Sequence, residues 1–124
     1  MLESQINPAV IIHTGSGRVS LDDILATMRS WFTDANFDPT VPVLWDLRDA
    51  VFDADAEELA KWGETMLSAT NENRAGQKTA WVLPTSEIAQ AAVDLLSSHD
   101  FRNKVRIYQN DREAAEAWLT TTIR

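Results

Sequence analysis

The stretch VLWDLRDA, residues Val43 to Ala50, opens as an apolar run and closes on Asp-Leu-Arg-Asp. In VLWDL both alternating faces carry apolar side chains, which predicts a central strand covered by helices on either side, as in a parallel sheet. The charged groups that follow fall at the strand's carboxyl end, where open α/β sheets place their sites. AWVL, Ala80 to Leu83, reads the same way, and Val10 to Ile12 is a third short run with strand composition. Val105 to Gln109, VRIYQ, alternates instead, which predicts a strand near a sheet edge. Leu2 to Ile6 makes one more strand. It joins Val10 through Asn7-Pro8, a turn-forming dipeptide, so the chain is expected to open with a hairpin.

Four helical patterns separate and follow these strands. The first starts on Ser20 as N-cap with Asp23 three residues on, and places Leu21, Ile24, Leu25, Met28 and Phe32 on one stripe. The second follows Asp55, with Glu58 in the capping-box position, and buries Leu59, Trp62, Met66 and Leu67. The third carries Ile88, Ala92, Leu95 and Leu96, and the fourth Ala115, Trp118 and Leu119. Alternation of strands with helices implies right-handed crossovers and a mostly parallel sheet with helices on its faces. A length of 124 residues suits one core and not two. Residues 1–124 are therefore read as a single α/β domain with four or five strands, an opening hairpin and four helices.

Composition narrows the function. Without cysteine there are no disulfides, thiolate metal sites or cysteine nucleophiles, and the chain suits a reducing compartment. A formal charge of −8 repels nucleic acid and anionic headgroups, and no Lys/Arg cluster offsets it. No apolar run is long enough to span a bilayer, and MLESQINPAV lacks a basic segment followed by an apolar one. The expectation is a cytoplasmic protein that is not integral to a membrane and does not bind nucleic acid.

The candidate contacts at the end of the central strand are Asp46, Arg48 and Asp49. A guanidinium there can clamp a carboxylate or phosphate bidentately. Alternatively, Arg48 pairs with a neighbouring Asp while Asp46 accepts backbone hydrogen bonds and locks the turn. The second reading is favoured, because the sequence shows no second basic group nearby. Trp31, beside Phe32, lies just off the first helix's stripe and with Phe37 is a further candidate for lining a ligand pocket or partner surface, unless the aromatic pair widens the buried face. Gly15-Ser16-Gly17-Arg18, before a helix, has the look of a dinucleotide loop, with Asp46 ending the next strand. Ser20 in the third glycine position weighs against it. Asp49, Asp53, Asp55, Glu57 and Glu58 lack the spacing of a calcium loop and suit a helix's first turns. His13 reads as a strand residue satisfied by a hydrogen bond and His99 as a residue at a helix end. Neither has a partner motif for catalysis. No metal site, cofactor or catalytic residue is expected.

Four segments, TGSGRVSLDDI (Thr14 to Ile24), VLWDLRDA, KTAWVLP (Lys78 to Pro84) and VRIYQNDREAAEAWL (Val105 to Leu119), together resemble the SpoIIAA-like family. This family is related to the STAS domains of anti-sigma-factor antagonists and of the cytoplasmic ends of sulfate transporters. The resemblance implies an opening hairpin followed by alternating helices and strands. STAS regulators carry a phosphorylatable serine just after an Asp, at the start of the helix that follows a strand ending Asp-Leu. Here that stretch reads Phe52-Asp53-Ala54-Asp55-Ala56, with no hydroxyl, so no phosphorylation site is expected. Asp55 serves as a cap or as a fixed charge in the serine's place. The branch also includes members that associate with membranes and hold a lipid-like ligand between helices, so peripheral association is permitted, although the acidic balance opposes docking on anionic lipid.

The resulting expectation is a non-enzymatic STAS-like binding or regulatory domain acting through a protein partner or an apolar, lipid-like small molecule. The alternative is a small α/β enzyme or nucleotide-binding protein using the Gly15 to Arg18 loop with Asp46 and Arg48. A homodimer formed through an exposed edge strand or helix is a third possibility.

Overall fold

The computed structural model describes residues 2–6, 10–34, 41–52, 55, 57–62, 64–65, 78–85, 87, 90–91, 94 and 105–120. Five strands, β1 (Leu2–Ile6), β2 (Ile11–Val19), β3 (Val43–Phe52), β4 (Thr79–Leu83) and β5 (Val105–Gln109), form one sheet in sequential order. β1 runs antiparallel to β2, and the three remaining pairings are parallel. The opening hairpin, the mostly parallel sheet and the edge position of VRIYQ agree with the sequence reading. Asn7 and Pro8 lie outside the described residues.

Because each parallel strand steps to the same side of its predecessor, right-handed crossovers deliver the connecting helices to one face. The first helix, Leu21–Phe32, and helical residues 57–62 and 64–65 lie there. Their Ile24, Met28, Trp31, Leu59 and Trp62 pack on Val43, Trp45, Leu47, Trp81 and Leu83 of the sheet. The last helix, Arg112–Thr120, covers the opposite face, where Ala115 and Leu119 meet Leu44, Ala80 and Val82. Alternate residues of one strand thus enter two different cores. That is why VLWDL has no solvent-facing side.

Local signals place the helix starts. Ser20 Oγ accepts from Asp23 N at 3.0 Å while Asp23 Oδ2 accepts from Ser20 N at 3.2 Å, a complete capping box. Asp55 Oδ1 accepts from Glu58 N at 2.8 Å, as the second pattern predicts. Glu87, Gln90, Ala91 and Asp94 are helical, but the bounds of that element, together with Met66, Leu67, Ile88, Ala92, Leu95, Leu96 and His99, lie outside the described residues.

On the helix-covered face Ser4, His13, Trp45, Trp81 and Ile107 stand in register across all five strands. Trp45 and Trp81 stack at 4.8 Å with their planes 6° apart, and His13 lies 4.2 Å from Trp45. Trp62 meets Trp81 edge-on at 6.1 Å. Aromatic pairs in these arrangements add about 0.5–1.5 kcal/mol beyond burial. His13 is buried and its Nδ1 lies 2.7 Å from Ser4 Oγ, in keeping with a satisfied strand histidine. Trp118 is only half-buried, with Lys78 and Arg106 over its ring.

Two strands are longer than their apolar runs. β2 continues through Gly15, Ser16, Gly17 and Arg18, and β3 continues to Phe52, because the two pair with each other beyond the end of β4. Gly15 is needed at the crossing, since a Cβ there would lie 2.6 Å from Leu47 Cδ2. Gly17 adopts φ 64°, a conformation that L side chains disfavour.

Candidate functional site

The network begins with a change of register. Thr14 pairs with Asp46 and Ser16 with Asp49, so β3 carries one more residue than β2 across this interval. Such a bulge resets the alternation. Leu47 and Ala50, three residues apart, both enter the core, whereas Arg48 and Asp49 are exposed.

Asp46 precedes the bulge and faces the last helix. Its side chain is only 4 % exposed, and both carboxylate oxygens are engaged. Oδ1 accepts from Arg48 Nε at 2.9 Å and from Arg48 N at 3.3 Å, and Oδ2 accepts from Arg48 Nη2 at 2.9 Å. Arg112 Nη1 donates to the same Oδ2 at 2.9 Å, while its Nε donates to Glu116 Oε1 at 2.9 Å. Burial raises the Asp46 carboxyl pKa, but the hydrogen bonds from Arg48 and Arg112 outweigh it and hold the group below its ordinary value. Arg48 is shifted upward, chiefly by its bond to Asp46. Burial pulls Arg112 down, yet Glu116 and Asp46 leave it raised overall.

The last helix is set in place by its lead-in turn. Asn110, at φ 54°, donates its N–H to Leu83 O at 2.9 Å and its Nδ2 to Thr85 Oγ1 at 2.6 Å, which ties the end of β5 to the end of β4. Asp111 then caps the helix through Ala114 N at 3.0 Å. Arg112 therefore arrives beside β3 from 66 residues away.

This arrangement bears out the pairing of Arg48 with a neighbouring Asp but corrects the rest of that reading: Asp46, Arg48 and Asp49 lie within β3, which runs on to Phe52 because it pairs with β2, so Asp46 locks no turn at a strand end. The fork of Arg48 is used within the chain, as expected, yet a second basic group does sit nearby. Arg112 was missed because only the docking of the last helix brings it to Asp46. A sequential parallel sheet puts the start of that helix at the same edge as the end of β3, and that placement is the signal the sequence did contain.

The remaining candidates separate. Asp49 is exposed beside Arg48. Trp31 is buried in the main core at 5 % exposure, on the face shared with Ile24 and Met28, so it widens the buried face and offers no surface contact. Phe37 lies outside the described residues. The dinucleotide-loop reading of Gly15 to Arg18 is corrected: these residues are strand paired with β3, not a turn with backbone N–H groups aimed at phosphate, and Asp46 has no oxygen spare for a ribose. The described residues contain no cluster of three or more potential metal ligands. No helix among them is long and apolar enough to cross a membrane.

A cleft of about 260 Å³ lies between the first helix and the helical residues from 57 onward, with Leu21, Leu25 and Trp62 among its walls and Asp22, Glu58 and Lys61 supplying charge.

No family model matches the chain, and no curated protein matches it. Among solved structures it is similar to an uncharacterized protein from the DUF3478 family with a SpoIIAA-like fold, from Shewanella loihica PV-4. The TM-score is 0.58 at 10 % identity, over 96 % of this chain and 92 % of the other. At that identity the likeness is one of architecture. Sheet order, opening hairpin and helix placement together give the chain a SpoIIAA-like α/β fold.

Proposed function

We propose that this chain is a single-domain, non-enzymatic STAS-like binding or regulatory module of the cytoplasm, acting through a protein partner at Arg48 and Asp49, where β3 runs on past the end of its pairing with β4. The observation that carries the reading is the Arg48–Asp46–Arg112 network. It consumes the one buried carboxylate of β3 in a structural role and holds Arg48 at the surface next to exposed Asp49. A carboxylate with both oxygens committed to guanidinium groups is a poor general acid or base, which favours recognition over chemistry. With Phe52 to Ala56 lacking a hydroxyl, the module works without a phosphorylatable serine.

The test is co-purification from the protein's own cytoplasm, comparing the wild type with Asp49→Lys. Loss of one stoichiometric polypeptide in the variant, with unchanged thermal stability, supports the reading. Equal recovery of that polypeptide by both proteins counts against Arg48 and Asp49 as the contact.

A second reading places a small, partly apolar ligand in the interhelical cleft. It is favoured by the cleft's volume and by its apolar walls, Leu21, Leu25 and Trp62, set beside charged Asp22, Glu58 and Lys61. Native mass spectrometry of gently purified protein separates the two, since a small adduct lost on denaturation belongs to the cleft. A bare homodimer instead points to self-association.

A further inference from the structure

The interhelical cleft is chemically two-sided. Leu21, Asp22 and Leu25 stand on one wall, and Glu58, Lys61 and Trp62 on the other. Leu21 and Trp62 are buried and Leu25 is half-buried, so the floor is apolar, whereas Asp22 and Glu58 are exposed and mark the rim. A volume of about 260 Å³ falls just below the roughly 300–1,000 Å³ of pockets that take drug-sized ligands, so the occupant is small. Among the described residues, neither the Asp22 nor the Glu58 carboxylate has a hydrogen-bond or ion-pair partner. Lys61, the one cation among the described lining residues, is already shared with Glu57 at 3.7 Å. Two helix starts border the cleft, and free N–H groups there favour an anion. Here Asp23 N is bonded to Ser20 Oγ and Glu58 N to Asp55 Oδ1, and a carboxylate on each wall repels one. First-turn acids are common on account of the helix dipole alone. What sets this pair apart is its place on opposite walls of one apolar-floored cleft, with no described cation left to balance it.

We propose that the cleft binds a small organic cation, a primary ammonium on an apolar body, with the body against Leu21, Leu25 and Trp62 and the ammonium between Asp22 and Glu58. An ammonium carries three donors and can serve two carboxylates at once. Exposed ion pairs contribute little by themselves, so the buried apolar body supplies most of the affinity and the carboxylates select the sign. A bare cation would leave the apolar floor unused. This inference rests on the second reading, of the cleft as a ligand site, and adds the ligand's charge.

The probes are phenylbutylamine, phenylbutanol and phenylbutyrate, which share one apolar body and differ in charge. Each is titrated into the protein at about pH 7, where an alkylammonium is charged, and followed by NMR at the Trp62 indole N–H and the Leu21 and Leu25 methyls. The expected result is saturable binding of the amine with shifts at all three residues, about tenfold weaker binding of the alcohol, and no saturation by the carboxylate. Asp22→Asn combined with Glu58→Gln should bring the amine down to the alcohol's affinity, with alcohol binding and the unfolding midpoint nearly unchanged, since both side chains are exposed. Equal binding of amine and alcohol overturns the choice of a cation while the cleft reading stands. Tighter binding of the carboxylate overturns it in favour of an anion held by Lys61. A double variant that loses the alcohol together with the amine refutes the charge account in favour of altered shape. If no probe shifts Leu21, Leu25 and Trp62 at millimolar concentration, the inference and the cleft reading fall together.

Discussion

Replacing Asp46 with Asn tests whether the two-arginine network holds the last helix to the sheet. The change keeps the side chain's shape but removes its charge and turns one acceptor into an amide donor facing a guanidinium. Three side-chain bonds at 2.9 Å are affected, two to Arg48 and one to Arg112. Hydrogen bonds to charged groups are worth about 1.5–3 kcal/mol each when both partners are buried. Here the Arg48 and Arg112 side chains are 38 % and 29 % exposed, so a released guanidinium rehydrates, and each bond is discounted toward the roughly 0–1 kcal/mol of a surface pair. Burying a neutral amide also costs less than burying a carboxylate, which offsets part of the loss. The expected net destabilisation is about 2–3 kcal/mol, a fall in Tm of about 6–12 °C for a chain of this size.

The pH dependence supplies the control. Because the folded-state pKa of Asp46 is depressed, its stabilisation is complete above the ordinary carboxyl value of 3.8 and is lost as pH falls through the lower folded value. The gap between wild type and Asp46→Asn, measured by urea unfolding, should be constant from about pH 7 to about pH 5 and close in more acid solution. A gap below about 0.5 kcal/mol at neutral pH, or one that persists in acid, refutes the electrostatic account. A double-mutant cycle with Arg112→Met should show positive coupling, with the Arg112 change nearly silent in the Asp46→Asn background.

Three further outcomes are expected. Gly15→Ala should destabilise by about 1–3 kcal/mol in chemical denaturation, because the new Cβ meets fully buried Leu47 at 2.6 Å and Leu2 at 3.1 Å. Gly17→Ala has open space around it and should cost only the left-handed backbone penalty of about 1–2 kcal/mol; shortening Leu47 should ease the first substitution and leave the second unchanged. Ser20→Ala removes one half of the capping box and should cost about 1 kcal/mol, with faster amide exchange confined to the first turn of the first helix.

The order of elements was legible in the chain because it rests on local pattern. Apolar runs of strand length in VLWDL and AWVL, the alternation of VRIYQ, and the Ser20 and Asp55 caps each depend on residues a few positions apart, and the SpoIIAA-like architecture follows from their sequence. That Arg48 pairs with a neighbouring Asp was legible for the same reason, since Asp46 and Asp49 both lie within two residues of it; that the partner is Asp46 was decided by the fold. What depended on distant residues was not. Whether Trp31 faced core or solvent turned on which neighbours the first helix met, and the strand character of Gly15 to Arg18 exists only because β3 lies alongside it. Arg112 reaches Asp46 only once Asn110 ties the end of β5 to β4. Local periodicity determined which segments are strands and helices; packing alone decided which side chains, far apart along the chain, share a charge.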